Sequence, residues 1–291
     1  ACVRIAYHHT DIVYMSKNQE VLRDVEHEVK EEATQGIVCT DRNKMSLQGL
    51  LEYANTVDLA EIKDVIQRQI EMNSRISQEG LDNAWGAQIG KTILGNWGHD
   101  VRTEACAAAA AGSDARMSGC PLPVVINSGS GNQGITVSVP VMVYAEELNV
   151  EKEKLYRALA LSNLTAIHEK TPIGRLSAYC GAVNAGAGAG AGIAYLCGGG
   201  YEEVIHTVVN ALAIVSGIVC DGAKASCAAK IASAVDAGIL GYNMYIRGQE
   251  FYGGDGIVTK GVEATLRNVG RLGKEGMRET NEEIIKMMIE D

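Results

Sequence analysis

"GAVNAGAGAGAGIA", residues 181–194, decides what kind of fold this chain can have. Its composition suits a flexible linker, yet the apolar flanks "LSAYC" and "IAYLC" argue against one. Read as a helix, it carries Gly186, Gly188, Gly190 and Gly192, each costing about 1 kcal/mol relative to alanine. That cost is tolerable only where bare backbone must lie against another helix or a cofactor. Read as a strand, it would be silk-like. The wider composition leans toward helices. With 33 Gly, one Phe and two Trp in 291 residues, a core of Ala, Val, Ile and Gly packs backbones close together. That suits tightly packed helices better than aromatic-rich strands.

Outward from this segment the pattern is mostly helical. Ser46 can cap "LQGLLEYANTV". Asp58 can cap a long amphipathic helix to about Glu79, with Leu59, Ile62, Val65, Ile66 and Ile70 on one stripe. Further helical patterns cover 100–112, 151–169, 201–219, 224–240, 257–271 and 274–289. Residues 1–25 alternate apolar and polar, which reads as two short strands around "HHTD". The charge-rich 26–45 reads as a linker. The expectation is an α+β chain: a small strand-containing remnant plus linker over 1–45, then a large, mostly α-helical domain over 46–291. The chain starts at Ala1 inside a strand-like run, so either a leading segment has been removed or the sequence begins inside a domain.

Hydrophobic residues at 46 % and charged residues at 21 % make a packed globular body the default. The formal net charge is −10 with no Lys/Arg block, which disfavours nucleic acid and anionic membrane as partners. No run of 18 apolar residues suggests a membrane span, and no export leader is visible. A cytoplasmic location and a small-molecule ligand are the expectations, with a homo-oligomer left open. Eight cysteines, at 2, 39, 106, 120, 180, 197, 220 and 227, then read as free thiols, metal ligands or catalytic thiols rather than disulfides.

Chemistry concentrates in three stretches. "NSGSGNQG" (127–134) matches G-x-G-x-x-G through Gly129, Gly131 and Gly134, and "PLPVVIN" before it could be a strand. No acidic-ended strand follows to complete a βαβ unit, so a nucleotide site is disfavoured. Ser128, Ser130, Asn132 and Gln133 among uncovered amides suit a small carboxylate in an anion nest. The bland alternative is a polar turn capping a helix that begins near Ile135. "HEKTPIGRLSAYCG" (168–181) places His168, Lys170 and Arg175 ahead of Cys180, apt for anion binding or proton transfer. "IVCDGAKASC" supplies Cys220 and Cys227. In one unbroken helix these two would stand about 10 Å apart. Asp221-Gly222 suggests a break that lets them converge. Small buried residues in an Ala/Gly core would explain the same cysteines.

Taken in order, "INSGSGNQGI", "HEKTPIGRLSAYCGAVNAGAGAGAG", "LCGGG" and "CDGAKASC" resemble the alpha-chain domain of iron–sulfur L-serine dehydratases. They are most similar to the branch of L-cysteine desulfidases and related uncharacterised bacterial proteins. The resemblance implies a [4Fe–4S] cluster held by Cys180, Cys220 and Cys227. It implies β-elimination from a small L-amino acid: cysteine to pyruvate, ammonia and sulfide, or serine to pyruvate and ammonia. Ser128, Ser130, Asn132 and Gln133 would then bind the substrate carboxylate, with Lys170 or Arg175 assisting and His168 as the base. The branch's Gly-Cys-Thr-Glu-Pro motif has only the echo "GIVCTD" at 36–41. The ending "KMMIED", without a terminal cysteine, leans toward the desulfidase branch. Two other readings compete: a non-catalytic amino-acid-binding or assembly module of the same fold, and a nucleotide-dependent oxidoreductase resting on the glycine spacing.

Overall fold

The computed structural model describes residues 1–5, 12–25, 41–174 and 177–290. They fall into two units, Ala1–Lys44 and Met45–Asp291, each taken by itself. In the first, β1 (Cys2–Ile5), β2 (Ile12–Lys17) and β3 (Glu20–Asp24) form an antiparallel sheet in the order β1-β2-β3. The turn between β2 and β3 uses Asn18 and Gln19 at φ 50° and 72°. Polar residues tolerate this left-handed region better than branched ones do. His8, His9 and Cys39, and most of the expected linker, lie outside the described residues.

The second unit is helical: α1 (Leu47–Thr56), α2 (Leu59–Asp82), α3 (Ile89–Trp97), α4 (Val101–Met117), α5 (Gly131–Glu147) and α6 (Lys152–Ile173). There follow α7 (Gly181–Leu196), α8 (Tyr201–Val215), α9 (Cys227–Ile246), α10 (Val262–Arg271) and α11 (Arg278–Glu290). With the small sheet this makes the α+β class. Ser46 and Asp58 cap α1 and α2, their side chains accepting from Gly49 N–H and Ala60 N–H. The short α3 escapes a periodicity reading because Gly90 and Gly95 interrupt it.

The Gly/Ala segment is α7, the central helix, packed against α5, α6, α8 and α9. A Cβ on Gly186 would lie 2.3 Å from the Ala234 carbonyl oxygen of α9, and one on Gly188 2.6 Å from that of Ser162 of α6. A Cβ on Gly190 would lie 2.9 Å from the Cα of Gly238 of α9. Bare backbone therefore faces bare backbone, and the propensity cost of each glycine is offset by contact no side chain would allow.

Two expectations are corrected. Residues 121–126 form no strand; only a single bridge, Asn127 to Ser130, closes the loop before α5. With the one described sheet confined to residues 2–24, that loop has no βαβ setting. The helix expected from 224 starts at Cys227, because Gly222 at φ 93° turns the chain first.

Candidate active site at the start of the central helix

The loop 127–134 is a helix entry. Ser128 at φ 49° and Gly129 at φ 82° turn the chain into α5. Ser130 caps it, its hydroxyl accepting from Gln133 N–H at 3.4 Å. The first helical amides, of Gly131 and Asn132, are left without a backbone acceptor, as at any helix start. Arg116 from α4 lies beside them. Its Nη1 donates to Asn132 Oδ1 at 3.2 Å, and its Nε would sit 2.3 Å from a Cβ on Gly131. A guanidinium over a helix amino terminus suits a carboxylate.

The loop's side chains divide between two sides. Ser128 Oγ donates to Asn127 Oδ1 at 2.9 Å, and both residues line a cavity of about 330 Å³ with Gln69, Asn163, Ile66 and Leu164. Gln133 is buried and turns the other way. Its carboxamide occupies the space of a missing side chain at Gly181, the first residue of α7. Part of the loop thus abuts the segment that carries Cys180.

Cys180 is the N-cap of α7. An isolated bridge pairs Tyr179 with Val219, so Cys180 N–H donates to Ile218 O at 3.2 Å and Cys220 N–H to Ala178 O at 2.6 Å. The short ladder sets the two thiols close enough to interact as a pair. That interaction lowers the Cys220 thiol against the opposing effect of burial, and together with burial it raises the Cys180 thiol. Cys227 opens α9 and its Sγ lies 3.5 Å from Gly222 O.

Three cations share the field of these thiols. Lys170 is buried, which lowers its pKa, while Cys220 and Cys180 oppose that shift. Arg116 is likewise lowered by burial and opposed by Cys227. Lys230, three residues beyond Cys227, feels Cys180 and Cys227 and is ion-paired with Asp221. Among the described residues no three His, Cys, Asp or Glu side chains stand close enough together to hold a metal ion.

His168 stands elsewhere. On α6 it points about 200° around the helix from Lys170. Its Nε2 is 2.8 Å from Glu263 Oε2 of α10, and Glu263 Oε1 accepts from Leu47 N–H, the first amide of α1. Arg175 lies outside the described residues. Sequence reading missed Arg116, Lys230 and Glu263. Only Lys230, one helical turn after Cys227, carried a usable signal.

These features match a known pattern of blocks. The family model for the serine dehydratase alpha chain matches residues 16–286. The chain belongs to that family. A UPF0597 protein of Desulfitobacterium hafniense is 56 % identical over 290 residues, covering 99 % of this chain and 66 % of that protein. One from Treponema denticola is 48 % identical over 292 residues, covering 99 % and 67 %. The chain therefore spans about two thirds of the length of these relatives. No solved structure matches it. Family membership supports a lyase-type role in amino-acid catabolism. No helix among the described residues is long and apolar enough to cross a membrane.

Proposed function

We propose that this chain carries the elimination site of an iron–sulfur lyase for a small L-amino acid. L-Cysteine would give pyruvate, ammonia and sulfide, or L-serine pyruvate and ammonia. One observation carries the reading: the Cys180–Cys220 thiol pair lies at the start of α7, where Gln133 of the α5 entry loop packs.

The donor set fits an iron–sulfur cluster in its chemistry. Two thiols interact as a pair, a third opens the neighbouring helix, and Arg116, Lys170 and Lys230 offset negative charge around them. Cys180, Cys220 and Cys227 would hold the cluster. When bound through three thiolates, it supplies an iron open to the substrate's leaving thiolate or hydroxyl as a Lewis acid.

The remaining work falls to the chain. Arg116 and the Gly131 and Asn132 amides hold the substrate carboxylate, with Ser130 and Asn132 shaping that helix entry. Gln133 fixes the distance between the carboxylate site and Cys180. Lys170, the buried amine within the thiols' field, takes the α-proton. His168, bound to Glu263, positions α6 rather than touching substrate.

Anaerobic reconstitution, then assay of sulfide from L-cysteine and ammonia from L-serine, tests the reading. Release of either product with pyruvate supports it and names the substrate. Binding of an amino acid without product would instead favour a non-catalytic binding module of the same fold.

A further inference from the structure

The interface between α6 and α7 holds polar groups that the elimination site does not use. Gly192 packs against Ala158 and Ser162, and Gly188 against Ser162 and Ala166. The two helices therefore run antiparallel with one stripe of α6, residues 158, 162, 166 and 169, against α7. One turn further along, this register sets Asn184 opposite Thr165 and Glu169, which are themselves four residues apart on one face. Tyr179, just before α7, is fully buried, and its hydroxyl lies close enough to the Glu169 carboxyl for the two groups to interact.

All four residues are essentially inaccessible, at 0 % or 1 % exposure. None of their polar side-chain atoms has a protein partner: Thr165 Oγ1, both Glu169 oxygens, the Tyr179 hydroxyl, and Asn184 Oδ1 and Nδ2. A buried polar atom left unbonded forfeits its hydration with nothing in return, so such atoms are rare. Three such side chains on one interface, with Tyr179 beside Glu169, mark a site with an occupant. The occupant must bond to both donors and acceptors, since Asn184 presents an amide N–H₂ as well as oxygens. A cation would leave that N–H₂ unanswered. Water answers every group.

We propose that Thr165, Glu169, Tyr179 and Asn184 enclose a buried water pocket in which Glu169 is kept as the carboxylic acid, a proton store beside the thiol site. No described cation reaches Glu169, and burial alone pushes its carboxyl well above the ordinary range. The charged or titratable neighbours are Lys170, which belongs to the thiol field, His168, tied to Glu263, and Tyr179. None of the three neutralises a carboxylate there. The glycine-rich α7 that faces it brings no charged side chain.

The use of the store rests on the lyase reading. As the α-hydrogen passes to the base, its bonding pair forms the new double bond and the leaving group departs with the C–S or C–O pair. The resulting aminoacrylate takes one proton at C3 before water releases ammonia. Glu169 lends that proton through water and regains one from the base, so the cycle balances. In this role Glu169 is a positioning residue for protons, since it does not touch substrate.

Infrared spectroscopy of the chain, with no cluster and no substrate, tests the store independently of activity. At neutral pH, the difference between wild type and Glu169→Gln should show loss of a protonated carboxyl band that shifts in heavy water. Loss of ionised-carboxylate bands instead would overturn the proposal. Should the variant not fold, wild type with carboxyl-labelled glutamate gives the same answer. Because burial holds the Glu169 carboxyl above the ordinary range, the proposal requires a protonated glutamate band in the wild type. Its absence refutes the store. Stability supplies a second readout. A folded-state value raised above 4.5 gives stability that is full below 4.5 and lost as pH rises through the folded value. The stability of Glu169→Gln relative to wild type must therefore grow with pH, and a constant difference would contradict the proposal.

Discussion

Gln133 and Gly181 occupy one space: the carboxamide nitrogen of the first lies 2.4 Å from where a Cβ on the second would stand. The contact joins the entry of α5 to the entry of α7. In the proposed site it would set how far a carboxylate at one helix start lies from a thiol at the other.

Replacing Gly181 by alanine should push the Gln133 carboxamide aside. Because Gln133 is buried, the cost is about 1–3 kcal/mol, as for other small overpacking changes. Urea unfolding measures it. Unchanged stability would mean that the contact is loose and sets no distance.

Gly186→Ala separates two effects of opposite sign. Helix propensity alone favours alanine by about 1 kcal/mol. Packing opposes it, since the new Cβ would meet the Ala234 carbonyl oxygen at 2.3 Å and backbone cannot swing away. Net destabilisation of about 1–3 kcal/mol is expected. A more stable variant would show that α7 and α9 are not in backbone contact.

This balance explains what the sequence made legible. The caps at Ser46 and Asp58, the amphipathic α2 and the break at Asp221-Gly222 are local signals, and each was readable. The conformation of 181–194 was not, because its stability resides in neighbours distant in sequence. The site divides the same way. The block order pointed to the three cysteines as candidates, but the pairing of Cys180 with Cys220 depends on the Tyr179–Val219 bridge, which no local signal marks. Arg116 was invisible, since nothing within α4 marks it as facing Asn132. The expected strand at 121–126 failed because its apolar run had no partner strand.

Glu263→Gln should destabilise the fold in a pH-dependent way. Burial raises the Glu263 carboxyl, but the His168 hydrogen bond and the Leu47 N–H outweigh it, so its folded value lies below 4.5. The stabilisation is present above 4.5 and lost as pH falls through the lower folded value. Thermal unfolding of both chains should differ at neutral pH and converge in acid. A gap that ignores pH would show that the His168–Glu263 pair contributes no charge-dependent stability.

Arg116→Gln should weaken binding of a small carboxylate at least about tenfold, or roughly 1.4 kcal/mol, the scale of a lost charge-assisted hydrogen bond. Calorimetric titration with the amino acid checks this. Equal affinity would move the carboxylate site away from the α5 entry.

The most direct test of the central claim is anaerobic reconstitution with iron and sulfide, followed by metal and sulfide analysis and visible absorption. Wild type should acquire one cluster per chain. Cys180→Ala, Cys220→Ala and Cys227→Ala should each lose it, while Cys197→Ala, at an exposed thiol outside the thiol site, should keep it. A chain that takes up no cluster, or variants at 180, 220 and 227 that hold one as well as wild type, would contradict the account.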